Sequence, residues 1–182
     1  KATPPIGSVF HCKQAPSCGG DTLFADTRGA LAALDETTRT RLGELEAVCS
    51  LAHHDKKVNL YSPTYPTLNE RQRAANPPNR VPIVLKHPVS GEPALYGMNS
   101  STCAVVTKGT ELSDARMDVF DLEGIEDESV GILRDLLPLV TAPEFTVRWQ
   151  WRAGDIVVWD NRCTMHAATG FNHHHENREM WR

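Results

Sequence analysis

The clearest alternation of apolar and polar residues lies in residues 145–152. The odd positions are Phe, Val, Trp and Trp, and the even positions are Thr, Arg, Gln and Arg. Because side chains alternate between the two faces of a strand, this period of two predicts a strand with one buried face. After a Gly-Asp turn, residues 156–159 are apolar at every position, which predicts a central strand covered on both faces.

Shorter runs along the rest of the chain predict further strands and a few helices. Apolar, β-branched runs bounded by turn residues predict strands at residues 6–13, 45–51, 81–86 and 94–98, the last two as a hairpin. Helices are predicted after the N-cap residues Asp26 and Asp35 and over residues 127–139. Residues 53–80 are polar and rich in Pro and Asn, which predicts a long surface loop with one helical piece at 69–75. Many short strands with few helices favour a mainly β sandwich or jelly-roll barrel.

Composition places the chain among ordinary globular proteins and excludes several partners. The chain has 182 residues, 40% of them hydrophobic and 23% charged, which fits one domain. The net charge of −4 argues against a nucleic-acid-binding surface, which is usually basic. No apolar run approaches the ~18–20 residues that cross a bilayer, so we expect no membrane partner.

Cysteine usage indicates the compartment. The five cysteines are odd in number and widely spaced, and none forms a Cys-x-x-Cys motif. Zinc ribbons and thioredoxin-like sites are therefore not indicated. We expect free thiols in a reducing cytoplasm.

Histidine is the most prominent chemical group, with eight residues. Non-heme iron oxygenases bind Fe(II) through two His and one carboxylate, and a His-x-Asp or His-x-Glu spacing on a strand places two ligands on one face. Two segments have this spacing, His53 with Asp55 and His174 with Glu176. Both lie in polar stretches, where solvated surface histidines are the alternative interpretation.

His166 has a different setting. It lies seven residues after the apolar strand at 156–159, where a turn and a returning strand would carry it back inside. A lone histidine is more often a hydrogen-bonded core or surface residue than a metal ligand. The role of His166 therefore has to be inferred from the neighbouring motifs.

Three motifs occur in a fixed order: Gly-Gly-Asp-Thr-Leu-Phe-Ala-Asp at 19–26, His-Pro-Val-Ser-Gly at 87–91, and W-x-x-G-D-x-x-x-W-D-N-R-x-x-x-H at 151–166. Together they resemble the taurine dioxygenase / 2,4-dichlorophenoxyacetate dioxygenase family over nearly the whole chain. That resemblance implies a double-stranded β-helix, the jelly-roll barrel of Fe(II)- and 2-oxoglutarate-dependent oxygenases, here mainly β with added helices.

The resemblance also implies roles for individual residues. His166 matches the distal iron ligand, and Thr22 matches the threonine whose hydroxyl helps to hold 2-oxoglutarate. Arg178 matches the arginine that binds the far carboxylate of 2-oxoglutarate through a bidentate fork. Arg182 matches an arginine that faces the active site and would bind an anionic substrate.

The family's His-x-Asp pair precedes the Gly-Gly-Asp-Thr segment, whereas His53 and Asp55 follow it. The two remaining iron ligands are therefore expected upstream of Lys1. We expect residues 1–182 to be a single oxygenase domain that lacks its N-terminal part.

The function that the resemblance implies is hydroxylation of a small, anionic organic compound by Fe(II), 2-oxoglutarate and O2, with release of succinate and CO2. One alternative is a metal-free, degenerate jelly-roll protein that binds a small carboxylate. Another keeps the enzyme class but changes the substrate to a sulfonate, an aryloxy acid, an N-acyl amino acid or a heterocycle. A homo-oligomer stays open.

Overall fold

A computed structural model describes residues 5–122 and 126–182. The protein is mainly β with added helices, and it divides into two compact units. Of the described residues, the first unit comprises 34–85, 95–122 and 126–137, and the second comprises 5–33, 86–94 and 138–182.

The strands and helices are short and alternate along the chain. The strands are β1 Gly7–Gln14, β2 Thr22–Asp26, β3 Leu45–Cys49, β4 Asn79–Pro82, β5 Val84–Lys86, β6 Pro93–Leu95, β7 Thr102–Thr107, β8 Thr146–Trp149, β9 Ile156–Asp160, β10 Thr164–Ala168 and β11 Glu179–Trp181. The helices are α1 Thr27–Ala32, α2 Glu36–Gly43, α3 Leu51–Tyr61, α4 Glu70–Ala75, α5 Asp114–Leu122 and α6 Gly131–Val140. No helix within the described ranges is long and apolar enough to cross a membrane.

The second unit contains two three-stranded antiparallel sheets, β11–β1–β9 and β10–β2–β8. Their apolar faces meet at aromatic side chains. The Trp159 ring of β9 lies 5.0 Å from the Phe10 ring of β1 and 5.2 Å from the Phe24 ring of β2, measured between ring centroids. Edge-to-face and tilted contacts at these distances stabilise the packing beyond the apolar area that they bury.

The turn that leads into β2 depends on two glycines. Gly19 and Gly20 have φ angles of +75° and +65°, which only glycine adopts without strain. A Cβ at Gly19 would also collide with the carbonyl oxygen of Gly170. The Gly20 N–H donates to that same carbonyl oxygen over 3.1 Å, which holds the start of β2 against the segment after β10.

The first unit is built on the antiparallel sheet β4–β3–β7, and α3 and α5 pack beside β7. Its core includes Val48, Cys103 and Phe120, all of them buried. Gly97 lies against this sheet, where an added Cβ would come within 2.8 Å of Ile83 Cδ1 and 2.9 Å of Ala47 Cβ.

The prediction of a polar surface loop over residues 53–80 is wrong in its first part. Residues Leu51–Tyr61 form α3, whose N-cap Ser50 accepts a hydrogen bond from the His53 N–H. The helix buries His53 and Asp55, so a polar sequence forms an element with a buried face. The helical piece near residue 70 is confirmed as α4, and Asn69 and Gln72 form a capping box at its start.

Two predictions in the C-terminal part of the chain have different outcomes. The helix predicted at 127–139 is confirmed as a 3₁₀ turn, Glu128–Val130, followed by α6. The prediction that β9 is covered on both faces is wrong. Trp159 is buried, whereas Ile156 and Val158 are 64% and 71% exposed.

Candidate cofactor and metal site

The hydroxyl of Thr22 is the centre of a buried hydrogen-bond cluster. Thr22 is the first residue of β2 and is only 2% exposed. Its Oγ1 accepts one hydrogen bond from Trp151 Nε1 at 2.9 Å and another from Arg178 Nη2 at 3.3 Å. Arg178 Nε also donates to the Gly20 carbonyl oxygen at 2.7 Å. The structure thus brings together Thr22 and Arg178, which are 156 residues apart in the chain.

The residue before Thr22 anchors the cluster to both neighbouring strands. Asp21 is 4% exposed, and its Oδ2 accepts from Arg148 Nε at 2.6 Å. Its N–H donates to Thr169 Oγ1, and its carbonyl oxygen accepts from the Thr169 N–H, each at 2.9 Å. Because Arg148 lies in β8 and Thr169 follows β10, the start of β2 is fixed from both sides.

His166 lies in the middle of β10, directly opposite Phe24 of β2. Side chains two apart on a strand share a face, as do side chains paired across an antiparallel ladder. His166 and Thr22 therefore project from the same face of the β10–β2–β8 sheet.

The environment of His166 favours a neutral imidazole. Its ring centroid lies 4.9 Å from that of Trp159 and 6.2 Å from that of Phe24. Partial burial against these rings lowers the pKa of His166 below its usual range, because removal from water disfavours the charged form. A neutral imidazole is the form that binds a metal ion. The residue as a whole is nevertheless exposed, so the rings cover only one side of the imidazole.

The open edge of β10 lies beside His166. In the sheets formed by the described residues, β10 pairs with β2 alone. Its second edge therefore presents backbone N–H and C=O groups that another strand could pair with.

A second polar cluster links two of the three sequence motifs. His87 Nδ1 accepts the N–H groups of Val89 and Ser90 at 3.3 and 3.1 Å, so its Nε2 carries the proton. That Nε2–H donates to Asp160 Oδ2 at 3.1 Å. Asp160 Oδ1 accepts the backbone N–H of Arg162 at 2.8 Å and its Nε at 2.9 Å. These donors, Arg162 above all, hold the pKa of Asp160 far below its usual range.

The Cys163 thiol lies within 4.8 Å of the ligand atoms of His87 and Asp160. A metal ion is not favoured there, because Arg162 already occupies the carboxylate and the His87 Nε2 is protonated. The cluster instead fixes the turn between β9 and β10. These hydrogen bonds give Asp160 a structural role in the turn. Its partner His87 was not predicted, and the only signal was the occurrence of both motifs in one chain.

The two His-x-carboxylate segments do not form metal sites in the described residues. His53 and Asp55 lie on α3, and residues two apart on a helix do not face each other. Asp55 Oδ1 lies 3.1 Å from His54 Nδ1 instead. His174 lies in an exposed turn, and the Glu176 carboxylate accepts hydrogen bonds from the backbone N–H and hydroxyl of Ser17.

The structure brings some of the predicted site residues together and leaves one outside the cluster. Thr22 and Arg178 are hydrogen-bonded, and His166 projects from the face of Thr22. Arg182 follows β11 and is exposed, outside the hydrogen bonds described around Thr22. Trp151 was not predicted as part of the site, although its place at the start of the W-x-x-G-D motif was a signal.

A protein-family model matches the whole chain, and curated relatives match about nine tenths of it. The family model described as "Taurine catabolism dioxygenase TauD, TfdA family" matches residues 1–182. An alpha-ketoglutarate-dependent sulfate ester dioxygenase of Pseudomonas putida is 33% identical over 168 residues, which cover 90% of this chain and 50% of the relative. An alpha-ketoglutarate-dependent 2,4-dichlorophenoxyacetate dioxygenase of Burkholderia sp. (strain RASC) is 33% identical over 166 residues, which cover 91% of this chain and 48% of the relative.

Solved structures agree in fold. The crystal structure of AAD-2 in complex with Mn(II) and N-oxalylglycine superposes with a TM-score of 0.76 at 26% identity, covering 100% of this chain and 63% of that chain. A taurine dioxygenase from Burkholderia xenovorans gives a TM-score of 0.69 at 27% identity, covering 98% and 51%.

The chain spans about half the length of the curated relatives that it matches. The match of the family model nevertheless extends over every residue of the chain. Together with the ordered motifs and the Thr22–Arg178 contact, this family-model match identifies the family of the chain. It belongs to the taurine catabolism dioxygenase TauD, TfdA family.

Proposed function

We propose that the protein is an Fe(II)- and 2-oxoglutarate-dependent dioxygenase. It hydroxylates a small, anionic organic substrate and releases succinate and CO2. The observation that carries this proposal is the Thr22–Arg178 hydrogen bond on the same sheet face as His166. The names of the relatives, which are alpha-ketoglutarate (2-oxoglutarate)-dependent dioxygenases, support it.

The Thr22 cluster fits one end of 2-oxoglutarate. A guanidinium has five N–H donors in a planar fork, and the hydrogen bonds of Arg178 to Gly20 and Thr22 orient that plane. A carboxylate accepts a bidentate pair of such donors. N-oxalylglycine, bound in the AAD-2 structure, has the skeleton of 2-oxoglutarate with one CH2 replaced by NH. We therefore assign Arg178 and Thr22 to the carboxylate of 2-oxoglutarate that is distant from the metal.

His166 fits one position of an iron site. The pKa of its imidazole is lowered, and the ring packs on one side against Trp159 and Phe24, which restrict its rotation. One imidazole does not hold iron by itself, and the family resemblance implies a His-x-Asp pair as the remaining ligands. A strand added at the open edge of β10 would present residues two apart on the face from which His166 projects.

When bound, Fe(II) supplies the oxidation: one oxygen atom of O2 enters the substrate C–H bond as a hydroxyl, and the other enters succinate as 2-oxoglutarate loses CO2. The residues of this chain bind and orient. Arg178 and Thr22 fix the co-substrate, and the Trp159 and Phe24 rings orient the imidazole of His166.

The two facing antiparallel sheets of the second unit support the finer fold assignment. We propose that they are part of a double-stranded β-helix, and that residues 1–182 belong to one oxygenase domain. The five cysteines are all free thiols, which supports a reducing, cytoplasmic location.

The substrate class rests on Arg182 and on the relatives. Arg182 supplies a fixed, exposed positive charge just beyond β11. The relatives act on sulfate esters and on 2,4-dichlorophenoxyacetate, which carry an anionic group on a small organic body. We therefore propose a sulfate ester, sulfonate or aryloxy acid as substrate.

The test uses the complete polypeptide that the gene encodes. It is incubated with Fe(II), 2-oxoglutarate and O2 against a panel of alkyl sulfates, sulfonates and aryloxyacetates. We expect succinate in equal amount to oxidised product for at least one of these acids. His166→Ala should abolish turnover, whereas the exposed His173→Ala should retain it.

Lack of turnover with every acid, in protein that binds iron, would overturn the proposed activity. Binding of 2-oxoglutarate by a protein that takes up no iron would instead support the alternative of a metal-free carboxylate-binding protein. Arg182→Ala should raise the KM for the substrate and leave the KM for 2-oxoglutarate unchanged.

A further inference from the structure

The loop between β10 and β11, residues 169–178, is tied at its start to the segment that leads into β2. The Thr169 N–H donates to the Asp21 carbonyl oxygen, and the Asp21 N–H donates to Thr169 Oγ1, each at 2.9 Å. The Gly20 N–H donates to the Gly170 carbonyl oxygen at 3.1 Å. These contacts fix the first two residues of the loop.

The other end of the loop is tied to the same segment by one side chain. The Glu176 carboxylate accepts the backbone N–H of Ser17 and also the Ser17 hydroxyl, the latter at 3.0 Å. Among the residues that the structure describes, Glu176 is the one position of 171–177 whose hydrogen bonds reach outside the loop. The turn itself is closed by bonds within the loop, in which the Asn172 carbonyl oxygen accepts the N–H groups of His175 and Glu176 at 3.2 and 3.0 Å.

Arg178 also contacts that segment, two residues after Glu176. Its Nε donates to the Gly20 carbonyl oxygen at 2.7 Å, and its Nη2 donates to Thr22 Oγ1 at 3.3 Å. A Cβ built on Gly20 would lie 3.1 Å from Arg178 Cδ, so the stem of the arginine lies against the segment as well. The Cα atoms of residues two apart are separated by at most about 7 Å. The bonds of Glu176 to Ser17 therefore restrict where the backbone of Arg178 can lie.

We propose that Glu176 is a positioning residue for 2-oxoglutarate: its bonds to Ser17 seat the loop, and the seated loop holds Arg178 where it meets Thr22. This inference rests on the proposed function, because it takes Arg178 to be the arginine that binds the distant carboxylate of 2-oxoglutarate. Glu176 acts through Arg178 rather than on the co-substrate itself. Its spacing from His174 in the sequence made it a candidate metal ligand, whereas in the structure its carboxylate is occupied by Ser17.

The size of the effect follows from the share of molecules in which the loop is seated. The affinity of a protein for a ligand falls in proportion to the population of its binding-competent conformation. The bonds to Ser17 are exposed, so each contributes at the low end of the range for hydrogen bonds. Loss of both bonds in Glu176→Ala should raise the Kd for 2-oxoglutarate about fivefold. Glu176→Gln keeps one acceptor oxygen and should raise that Kd about twofold.

The direction of the change separates positioning from simple electrostatics. Because 2-oxoglutarate is a dianion, removal of a nearby carboxylate favours its binding when charge alone decides. Glu176→Gln removes one negative charge, yet positioning predicts weaker binding. Glu179→Gln is the matched control, because it removes the same charge from the other side of Arg178 along the chain, and the Glu179 carboxylate accepts from the Trp181 indole N–H. We expect the Kd of this control to be unchanged or lower.

Calorimetric titration of the Mn(II)-loaded protein with 2-oxoglutarate measures these dissociation constants, and steady-state kinetics give the KM values of both substrates. We expect Glu176→Ala and Glu176→Gln to raise the KM for 2-oxoglutarate and to leave the KM for the organic substrate unchanged. A general loss of structure would raise both KM values instead. Ser17→Ala should add little to the effect of Glu176→Ala, because both substitutions remove the same contact.

The outcomes distinguish this inference from the proposed function. Binding of 2-oxoglutarate by the native protein with the same Kd in Glu176→Ala would overturn this inference alone. Equal weakening by Glu176→Gln and Glu179→Gln, or a rise of both KM values, would do the same. No binding of 2-oxoglutarate by the native protein would overturn the proposed function, and this inference with it.

Hydrogen exchange tests the seating of the loop without any ligand. The N–H of the buried Gly20 donates to the Gly170 carbonyl oxygen, and neither residue is changed in Glu176→Ala. The Gly20 amide should nevertheless exchange faster in Glu176→Ala than in Glu179→Gln or the native protein. Equal exchange rates would show that the loop stays seated without Glu176 and would overturn its positioning role.

Discussion

Replacing Asp160 by Asn tests whether the His87–Asp160–Arg162 cluster fixes the turn before His166. The substitution keeps the side-chain shape but removes the charge that His87 and Arg162 contact. Asp160 is 29% exposed at its side chain, and Arg162 is 18% exposed, so solvent screens the pair only in part. Hydrogen bonds to a charged group contribute roughly 1.5–3 kcal/mol each, and allowing for this screening we expect a net loss of about 2 kcal/mol in the free energy of unfolding.

The loss should depend on pH in a defined direction. The pKa of Asp160 is lowered in the folded protein, so the ionised carboxylate stabilises the fold above its unfolded pKa of about 3.9. That stabilisation declines as pH falls from there towards the folded pKa, by up to about 1.4 kcal/mol for each pH unit. The difference between the native protein and Asp160→Asn should therefore be about 2 kcal/mol at pH 7 and roughly 1 kcal/mol at pH 3.

Urea denaturation of the complete polypeptide at both pH values measures this difference. Asp135→Asn, on an exposed position of α6, removes the same formal charge and serves as the control. A loss of the same size at pH 7 and pH 3 would refute the ionic explanation. A loss at pH 7 no larger than that of Asp135→Asn would refute the positioning role of the cluster.

Three further predictions concern buried groups. Thr22→Val should cost about 2 kcal/mol in urea denaturation, because the buried Trp151 N–H and the partly buried Arg178 guanidinium lose their acceptor, whereas Thr22→Ser should cost much less; equal losses would contradict the hydrogen-bond explanation. Gly97→Ala should cost about 1–3 kcal/mol, because its methyl group overlaps neighbouring core side chains; an unchanged urea midpoint would contradict this packing. Burial raises the pKa of Cys103 to about 12, so iodoacetamide at pH 8 should label the exposed Cys18 and spare Cys103 in the native protein, as mass spectrometry can establish. Equal labelling of both thiols would contradict the burial of Cys103.

Some features of the fold and site follow from local sequence, and others do not. The start of β2 could be predicted because Gly19 and Gly20 require φ angles that mark a turn. The family motifs also placed Thr22 and Arg178 in one site, and the structure brings them together. Their roles in binding 2-oxoglutarate stay predictions.

Other features depend on contacts that the sequence does not display. Helix α3 has a polar sequence, and its burial of His53 and Asp55 depends on packing within the first unit. The bond between His87 and Asp160 joins residues 73 positions apart, so neither motif alone indicates it. The exposure of Val158 is the reverse case, because the continuous apolar run predicts a covered strand whereas the structure exposes this side chain.

The two hydrogen bonds at Thr22 have a consequence for ligand selectivity. A threonine hydroxyl has two lone pairs and one proton, and the indole N–H of Trp151 and the guanidinium of Arg178 donate to both lone pairs. The hydroxyl can therefore take part in further hydrogen bonds only as a donor. A ligand that reaches it must offer an acceptor such as a carboxylate oxygen, and an amide NH2 or an ammonium group at that position would meet three donors and no acceptor.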